Sequence, residues 1–309
     1  MVYYLIIGIV FFGQLFPPII QGASGELSSV IDGNNVVQMK VQESVASADS
    51  VPEKVSDSSG IFLTSSSALV MDKATGKILF QKEPDQQHSI ASVTKLMTTL
   101  VFLENNPGFD QIGQIGVGEN SLEGSRVQVK SNDHMTLEDL FYATLVGSAN
   151  NATQALVHAT GLTGEEFVAE MNKKAESLGM NNTLYVEPTG LDSKNISTVI
   201  DLAKLGKVAF SQAKISDATT RREHSFITLD NREFHKQISQ NVLLDSYLNI
   251  TGAKTGFTYD AGYCMVAQAE NENGNEVIVV VLGSKSSDTR FEEVKALTTW
   301  AFDNFEWKN

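Results

Sequence analysis

The chain has 309 residues, a formal net charge of -14 at pH 7 and 42% hydrophobic residues. That length accommodates one large domain or two small ones, with enough apolar residues for a sizeable core. The acidic balance argues against nucleic acid as a partner, because phosphate contacts need clustered lysine and arginine side chains. The single cysteine, Cys264, excludes an internal disulfide and a cysteine-based zinc site.

The N-terminal segment differs from the rest of the chain, because no charged side chain precedes Glu26. Such a segment is long enough to span a bilayer, and the small residues at 22–24 are typical of a signal-peptide cleavage site. We therefore predict a signal peptide or an N-terminal membrane anchor at residues 1–23, which places the folded part outside the cytoplasm. Residues 24–60 are rich in serine, valine and acids, which predicts a disordered linker with at most one frayed strand at 36–41.

The predicted catalytic domain spans residues 61–309 and begins with a β-hairpin. A long apolar run then predicts a buried helix, and Thr136 and Thr163 are typical N-terminal caps of two further helices. The predicted segments are strands 67–71 and 77–81, helices 92–104, 137–146, 164–178 and 201–210, strands 250–257, 263–270 and 276–282, and a closing helix 289–305. This order, without βαβ alternation, predicts an α+β fold with an antiparallel sheet flanked by helices.

Three short motifs follow one another along these elements: S-x-x-K at residues 92–95, S-x-N at 148–150 and K-T-G at 254–256. Residues three apart share a helix face, so Lys95 can reach the hydroxyl of Ser92. A serine becomes a useful nucleophile when a neighbouring base takes its proton, and a lysine is such a base only when neutral. We expect burial and the positive charge of Lys254 to lower the pKa of Lys95.

The other motif residues are predicted to serve the substrate. Ser148 is placed to relay a proton to the leaving amine, and Asn150 to hold the substrate amide. The K-T-G segment is predicted to be an edge strand, along which a peptide substrate can pair. In that strand Gly256 permits a close backbone approach, and Thr255 offers a hydroxyl to a terminal carboxylate.

The S-x-x-K and S-x-N motifs are weak when taken alone, because similar patterns recur elsewhere in the chain, whereas K-T-G occurs once. Residues 211–214 also match S-x-x-K, and residues 193–195 and 239–241 also match S-x-N. Only the trio that begins at Ser92 combines the right order with a buried helix, an inter-helix loop and a strand.

The region from residue 61 to Trp307 resembles the D-alanyl-D-alanine carboxypeptidases, which are low-molecular-mass penicillin-binding proteins. The three motifs are a known signature of the wider serine β-lactamase and DD-peptidase group. Further similar segments are residues 90–98, 124–125, 188–191, 197–203 and 254–263. The resemblance implies a five-stranded sheet beside a helical subdomain, with the site between them. It also implies an oxyanion hole formed by the backbone N–H groups of Ser92 and Phe257.

The function that this resemblance implies is a serine-type D-Ala-D-Ala carboxypeptidase. Its partners would be peptidoglycan stem peptides ending in D-Ala-D-Ala, with β-lactams as inhibitors and no metal or other cofactor. Phe257 and Arg290 are added as substrate-binding residues, although a charge on the helix surface is the alternative for Arg290. The chain departs from the family pattern at Ala149, where glycine is common, and at Glu187, where asparagine is usual.

Other functions share parts of the pattern. A DD-endopeptidase uses the same site, and a class A β-lactamase shares the motifs but has a Glu-x-x-Leu-Asn pattern that is absent here. A non-catalytic wall-binding or β-lactam-sensing module would be expected to lack the serine or the lysine, and both are present. The absence of G-x-S-x-G and H-E-x-x-H argues against an α/β-hydrolase and a zinc metallopeptidase.

Overall fold

The computed structural model describes residues 51–308 and, before them, only the strands Leu27–Ile31 (β1) and Val37–Val41 (β2). These two strands pair antiparallel within a separate unit, Met1–Ala48. They fall in the predicted linker, where the sequence indicated one frayed strand at most. The predicted signal peptide or anchor lies outside the described residues. Among the residues that are described, no helix has both the length and the apolar character that a membrane span requires.

The second unit, Asp49–Asn309, contains the remaining elements. Its strands are Glu53–Lys54 (β3), Ser67–Asp72 (β4), Ile78–Lys82 (β5), His88–Ser89 (β6), Ile112–Ile115 (β7), Asp133–Thr136 (β8), Ile196–Ser197 (β9), Glu223–Ile227 (β10), Phe234–Ile238 (β11), Asn249–Thr258 (β12), Gly262–Glu270 (β13), Glu276–Ser284 (β14) and Phe305–Glu306 (β15). Its α-helices are Thr94–Glu104 (α1), Val117–Asn120 (α2), Leu137–Val146 (α3), Asn150–Ala159 (α4), Gly164–Ser177 (α5), Val199–Ala209 (α6), Ala213–Thr220 (α7) and Ser287–Asn304 (α8). Short 3-10 helices occupy Ala91–Val93 and Val242–Asp245.

The central sheet has five antiparallel strands in the order β12-β13-β14-β4-β5. Alternate residues of a strand point to opposite faces, and β14 follows this rule. Ile278 and Val280 pack with α6 in the larger core, whereas Val277 and Val279 pack with α8 on the other face. Helices therefore cover both faces, and this confirms the predicted fold class. It also leaves β12 at the edge of the sheet, as the sequence predicted for the K-T-G segment.

The hairpin of β10 and β11 was not predicted. Its strands carry few apolar residues that face the core, and Phe226 is the buried one. A strand with so little buried apolar surface has a weak two-residue period, so its sequence pattern does not distinguish it from a loop.

Residues 53–60, which the sequence assigns to the linker, pack against the C-terminal end of the second unit. Lys54 in β3 pairs with Phe305 in β15. The side chain of Trp300 donates a hydrogen bond from Nε1 to Ser58 Oγ at 2.8 Å. The packed part of the domain thus begins before the predicted boundary at residue 61.

A chain that begins at residue 49 should consequently be more stable than one that begins at residue 61. Removing residues 49–60 takes away the pairing of β3 with β15 and the hydrogen bond from Trp300 to Ser58, and one such bond is typically worth about 0.5–1.5 kcal/mol. Guanidinium unfolding of the two chains, followed by tryptophan fluorescence, measures the difference. Equal unfolding midpoints would show that residues 49–60 contribute nothing to the domain.

Candidate active site

Ser92 lies in the 3-10 turn Ala91–Val93, directly before α1. The preceding Ala91 has a φ of +46°, a left-handed conformation that costs a non-glycine residue about 1–3 kcal/mol. Two glycines lie in close contact with this turn. A Cβ added to Gly190 would lie 2.0 Å from Ala91 O, and one added to Gly256 would lie 2.9 Å from Ile90 O. The turn is therefore held from both sides by backbone that only glycine allows so close.

The side chain of Lys95 is fully buried, and its amine makes three hydrogen bonds. The partners of Nζ are Ser92 Oγ at 2.9 Å, Asn150 Oδ1 at 2.7 Å and Thr189 O at 2.6 Å. The last two oxygens can only accept, whereas a serine hydroxyl can also donate. A neutral amine has two N–H donors and one lone pair, so the donors satisfy Asn150 and Thr189 and the lone pair faces Ser92. The geometry suits transfer of the Ser92 proton to Lys95.

The electrostatic surroundings make a neutral Lys95 accessible near neutral pH. Burial lowers the pKa of Lys95 from its ordinary value of 10.5 to about 7, while the nearby carboxylate of Glu187 acts in the opposite direction. A base works best when its pKa is close to the operating pH. Burial is thus the leading cause of the shift, which we expected to come from burial together with the charge of Lys254.

The second and third motifs meet in a separate pair. The amine of Lys254 donates to Ser148 Oγ and to Thr255 O, both at 2.8 Å. Burial, together with the charges of Lys95 and Arg290, holds the pKa of Lys254 well below its ordinary value. Ser148 has a φ of +56° in the loop between α3 and α4, and this unusual conformation accompanies the contact of its hydroxyl with Lys254.

Asn150 makes contacts within the protein that the sequence did not predict. Its Oδ1 accepts from Lys95, and its Nδ2 donates to Glu123 O at 2.7 Å. One lone pair of Oδ1 and one N–H of Nδ2 are not used by these two bonds, so the amide can hold Lys95 and still contact a substrate. In this structure Asn150 positions Lys95.

A cleft of about 210 Å³ opens beside Ser92 and Ser148, whose hydroxyls contact Lys95 and Lys254 respectively. The predicted residues that line it are Ser92, Ser148, Asn150, Thr255, Gly256, Phe257 and Arg290. Gln240 also lines the cleft and was missed. It follows the unpredicted hairpin. The only pattern noted there is the alternative S-x-N match at residues 239–241, and that match does not predict a place for Gln240 in the cleft.

Arg290 is 3% exposed on α8, which excludes a helix-surface charge. Its Nη1 donates to Gly256 O at 3.1 Å and to Cys264 O at 3.4 Å, so it joins the backbones of β12 and β13. Burial lowers the pKa of Arg290 to about 10, and at neutral pH the guanidinium stays charged. Arg290 therefore brings a positive charge to the floor of the cleft.

The alternative motif matches do not form comparable sites. Ser211 is exposed and donates to Lys207 O, and Lys214 pairs with Glu138. The three motifs converge only in the trio that begins at Ser92.

The model of the D-alanyl-D-alanine carboxypeptidase family matches residues 53–286. The chain belongs to this family. It is 34% identical over 242 residues to the D-alanyl-D-alanine endopeptidase of Escherichia coli (strain K12), with 77% of each chain covered. It is 30% identical over 245 residues to the D-alanyl-D-alanine carboxypeptidase DacF of Bacillus subtilis (strain 168), with 78% of this chain and 62% of that protein covered. The structure of the Streptomyces K15 DD-transpeptidase superposes with a TM-score of 0.74 at 25% identity, and covers 80% of this chain and 100% of that one.

Family membership confirms the predicted enzyme class, a serine-type D-Ala-D-Ala carboxypeptidase of the penicillin-binding group. Enzymes of this family act outside the cytoplasm on D-Ala-D-Ala peptides of peptidoglycan, and they bind β-lactams. A relative from Pseudomonas aeruginosa, 36% identical over 245 residues, is also named an endopeptidase. Endopeptidase activity, kept as an alternative in the sequence analysis, is thus represented among the relatives.

Proposed function

We propose that this enzyme removes the terminal D-alanine from peptidoglycan stem peptides, with Ser92 as the nucleophile and Lys95 as its base. The observation that carries the proposal is the 2.9 Å contact between Lys95 Nζ and Ser92 Oγ. The other two bonds of that amine go to acceptors, so its lone pair is free for the serine proton.

The reaction has two stages. In the first, Ser92 Oγ attacks the carbonyl of the penultimate D-alanine and its proton passes to Lys95. The C–N bond then breaks as Ser148, hydrogen-bonded to Lys254, gives its hydroxyl proton to the leaving amine of D-alanine. Ser148 takes up in its place the proton that Lys95 removed from Ser92, so that both side chains return to their starting states. In the second stage a water molecule attacks the ester, which releases the shortened peptide and returns a proton to Ser92.

Backbone and charge in the cleft support binding of a peptide with a free carboxylate. The substrate would extend along β12, the edge strand, and its carboxylate would meet the hydroxyl of Thr255 and the field of Lys254 and Arg290. The N–H groups of Ser92 and Phe257 are proposed as the oxyanion donors. Such donors are each worth about 2.7–4 kcal/mol in the transition state.

Cleavage of cross-linked peptides by the same site is the second candidate. The relatives named endopeptidase match this chain over 77% to 81% of their own length, whereas those named carboxypeptidase match over 61% to 63%. The chemistry at Ser92 is the same for both substrates, and the difference lies in what the cleft admits on the leaving side.

The test combines labelling with product analysis. Fluorescent penicillin should give one adduct, on the peptide that contains Ser92, and Ser92→Ala should not be labelled. Ser211→Ala, in the alternative S-x-x-K match, is the control and should label like the wild type. An adduct on Ser211, or labelling of Ser92→Ala, would contradict the assignment. Free D-alanine from linear peptides indicates carboxypeptidase activity, and cleavage confined to cross-linked peptides indicates an endopeptidase.

We also propose that residues 1–23 carry the enzyme out of the cytoplasm, as a signal peptide or as an anchor, with the segment from residue 24 to the start of the packed domain near residue 49 as the tether. The uncharged apolar composition of the first segment supports this. Sequencing the N-terminus of the exported protein distinguishes the two, since cleavage near residue 23 removes a signal peptide and an intact N-terminus marks an anchor.

A further inference from the structure

Glu187 lies in the loop between α5 and β9, and its carboxylate accepts four hydrogen bonds. The donors are Thr189 N at 2.7 Å, Thr189 Oγ1 at 2.5 Å, Gly190 N at 2.5 Å and Asn195 Nδ2 at 3.0 Å. A carboxylate only accepts and offers about four lone-pair positions. An amide in its place would turn one of its two ends into a donor that faces other donors.

The hydrogen bonds to this carboxylate fix the conformation of the loop that contacts Lys95. Within the loop, Thr189 O accepts from Lys95 Nζ at 2.6 Å and Pro188 O accepts from Thr98 Oγ1 at 2.6 Å. Both contacts fasten the loop to α1. The next residue, Gly190, is in close contact with the carbonyl of Ala91, in the 3-10 turn that carries Ser92. Glu187 itself is not among the residues that line the cleft.

We propose that Glu187 is a positioning residue for the base: its carboxylate holds the Thr189 carbonyl against Lys95 and places a negative charge near that amine. The inference rests on the proposed role of Lys95 in the reaction. It assigns to Glu187 a part in catalysis that is exerted through Thr189, without contact with the substrate.

Geometry and charge act differently on Lys95. The held carbonyl takes one N–H of the neutral amine and so helps to aim the lone pair at Ser92. The negative charge favours the ammonium form and raises the pKa of Lys95, against the effect of burial. The other charged groups on this side are Lys254 from β12 and Arg290 from α8, and the charges of Lys95 and Arg290 act with burial to lower the pKa of Lys254. Glu187 thus keeps Lys95 basic enough to take a proton near neutral pH.

The two effects are separated by measuring the rate constant of acylation by a chromogenic β-lactam as a function of pH. Glu187→Gln removes the charge and one acceptor. Its rate should rise at a lower pH than that of the wild type, and its plateau should fall roughly tenfold, as expected when a hydrogen bond to an ionised group is lost. Glu187→Asp keeps the charge on a shorter side chain. It should retain the wild-type midpoint with a reduced plateau.

Glu165→Gln is the matched control, because Glu165 is an exposed acid in the first turn of α5. It should reproduce the wild type in midpoint and plateau. A Glu187→Gln midpoint at or above that of the wild type overturns the role of the charge, and a wild-type plateau overturns the positioning role. If Glu187→Gln does not fold, as judged by circular dichroism, a wild-type plateau in Glu187→Asp still overturns the proposal. Ser92→Ala is measured in parallel, since its acylation would refute the proposed nucleophile instead.

Discussion

Acylation by penicillin should be slow at acid pH, should rise around pH 7 and should nearly disappear in Lys95→Arg. The sign follows from burial, which lowers the pKa of Lys95 to about 7, so the neutral amine that accepts the Ser92 proton accumulates above that pH. A guanidinium does not deprotonate in proteins. General-base catalysis typically contributes about 10²- to 10⁴-fold, and a loss of that size is expected in Lys95→Arg.

The measurement is the acylation rate constant between pH 5 and roughly pH 9, a range that brackets the shifted pKa of the buried lysine. Lys214→Arg is the matched control, because Lys214 ends the alternative S-x-x-K match and pairs with Glu138. It should show the wild-type profile. A near-normal rate in Lys95→Arg would assign the base to another group.

The same shift has a consequence for stability that does not depend on activity. Lys95 has an ordinary pKa when the chain is unfolded and a lower one when it is folded, so the unfolded chain binds more protons between about pH 7 and 10.5. The free energy of unfolding contributed by Lys95 should therefore increase with pH across that window. Lys95→Met, which cannot titrate, should have a flatter dependence.

Gly190→Ala should destabilise the domain strongly and impair acylation. An added Cβ would lie 2.0 Å from Ala91 O and 2.8 Å from Ser92 N, and these are backbone atoms that cannot rotate away. The overlap is expected to cost about 1–3 kcal/mol. The φ of +87° adds roughly 1–2 kcal/mol for a residue with a Cβ. Relief of the overlap would displace the turn that carries Ser92, so activity should fall along with stability.

Gly161→Ala isolates the steric part of this cost. Gly161 has a similar φ of +78°, but no heavy atom lies within 4 Å of its added Cβ. In this control, stability should fall only by the cost of the positive φ, and the acylation rate should equal that of the wild type. Thermal unfolding and penicillin labelling of both variants give the comparison. Equal destabilisation of the two variants would show that the turn carrying Ser92 accommodates a methyl group at residue 190 without cost.

The chemistry of the site could be predicted from local sequence because its central residues are close together in the chain or lie at the ends of regular elements. Ser92 and Lys95 are three residues apart, a spacing that brings two side chains to one side of a helical turn. The S-x-N motif follows the predicted helix α3 and K-T-G lies on a predicted strand, whereas α4, which begins at Asn150, was not predicted. The strongly periodic strands and helices followed from the same rule, that burial on one or both faces requires apolar residues at fixed intervals.

Contacts between distant parts of the chain were decided only by the tertiary structure. The pairing of β3 with β15 joins residues about 250 positions apart, and no local pattern marks it. The third partner of Lys95 is the backbone carbonyl of Thr189. Every residue has such a carbonyl, so residue types do not predict which one is used. The burial of Arg290 and the place of Gln240 at the cleft likewise depend on which elements pack together. The sequence by itself determined the reacting groups and the elements that carry them. The tertiary structure alone decided the surroundings that orient those groups and shift their pKa values, because desolvation and backbone contacts arise only when distant segments meet.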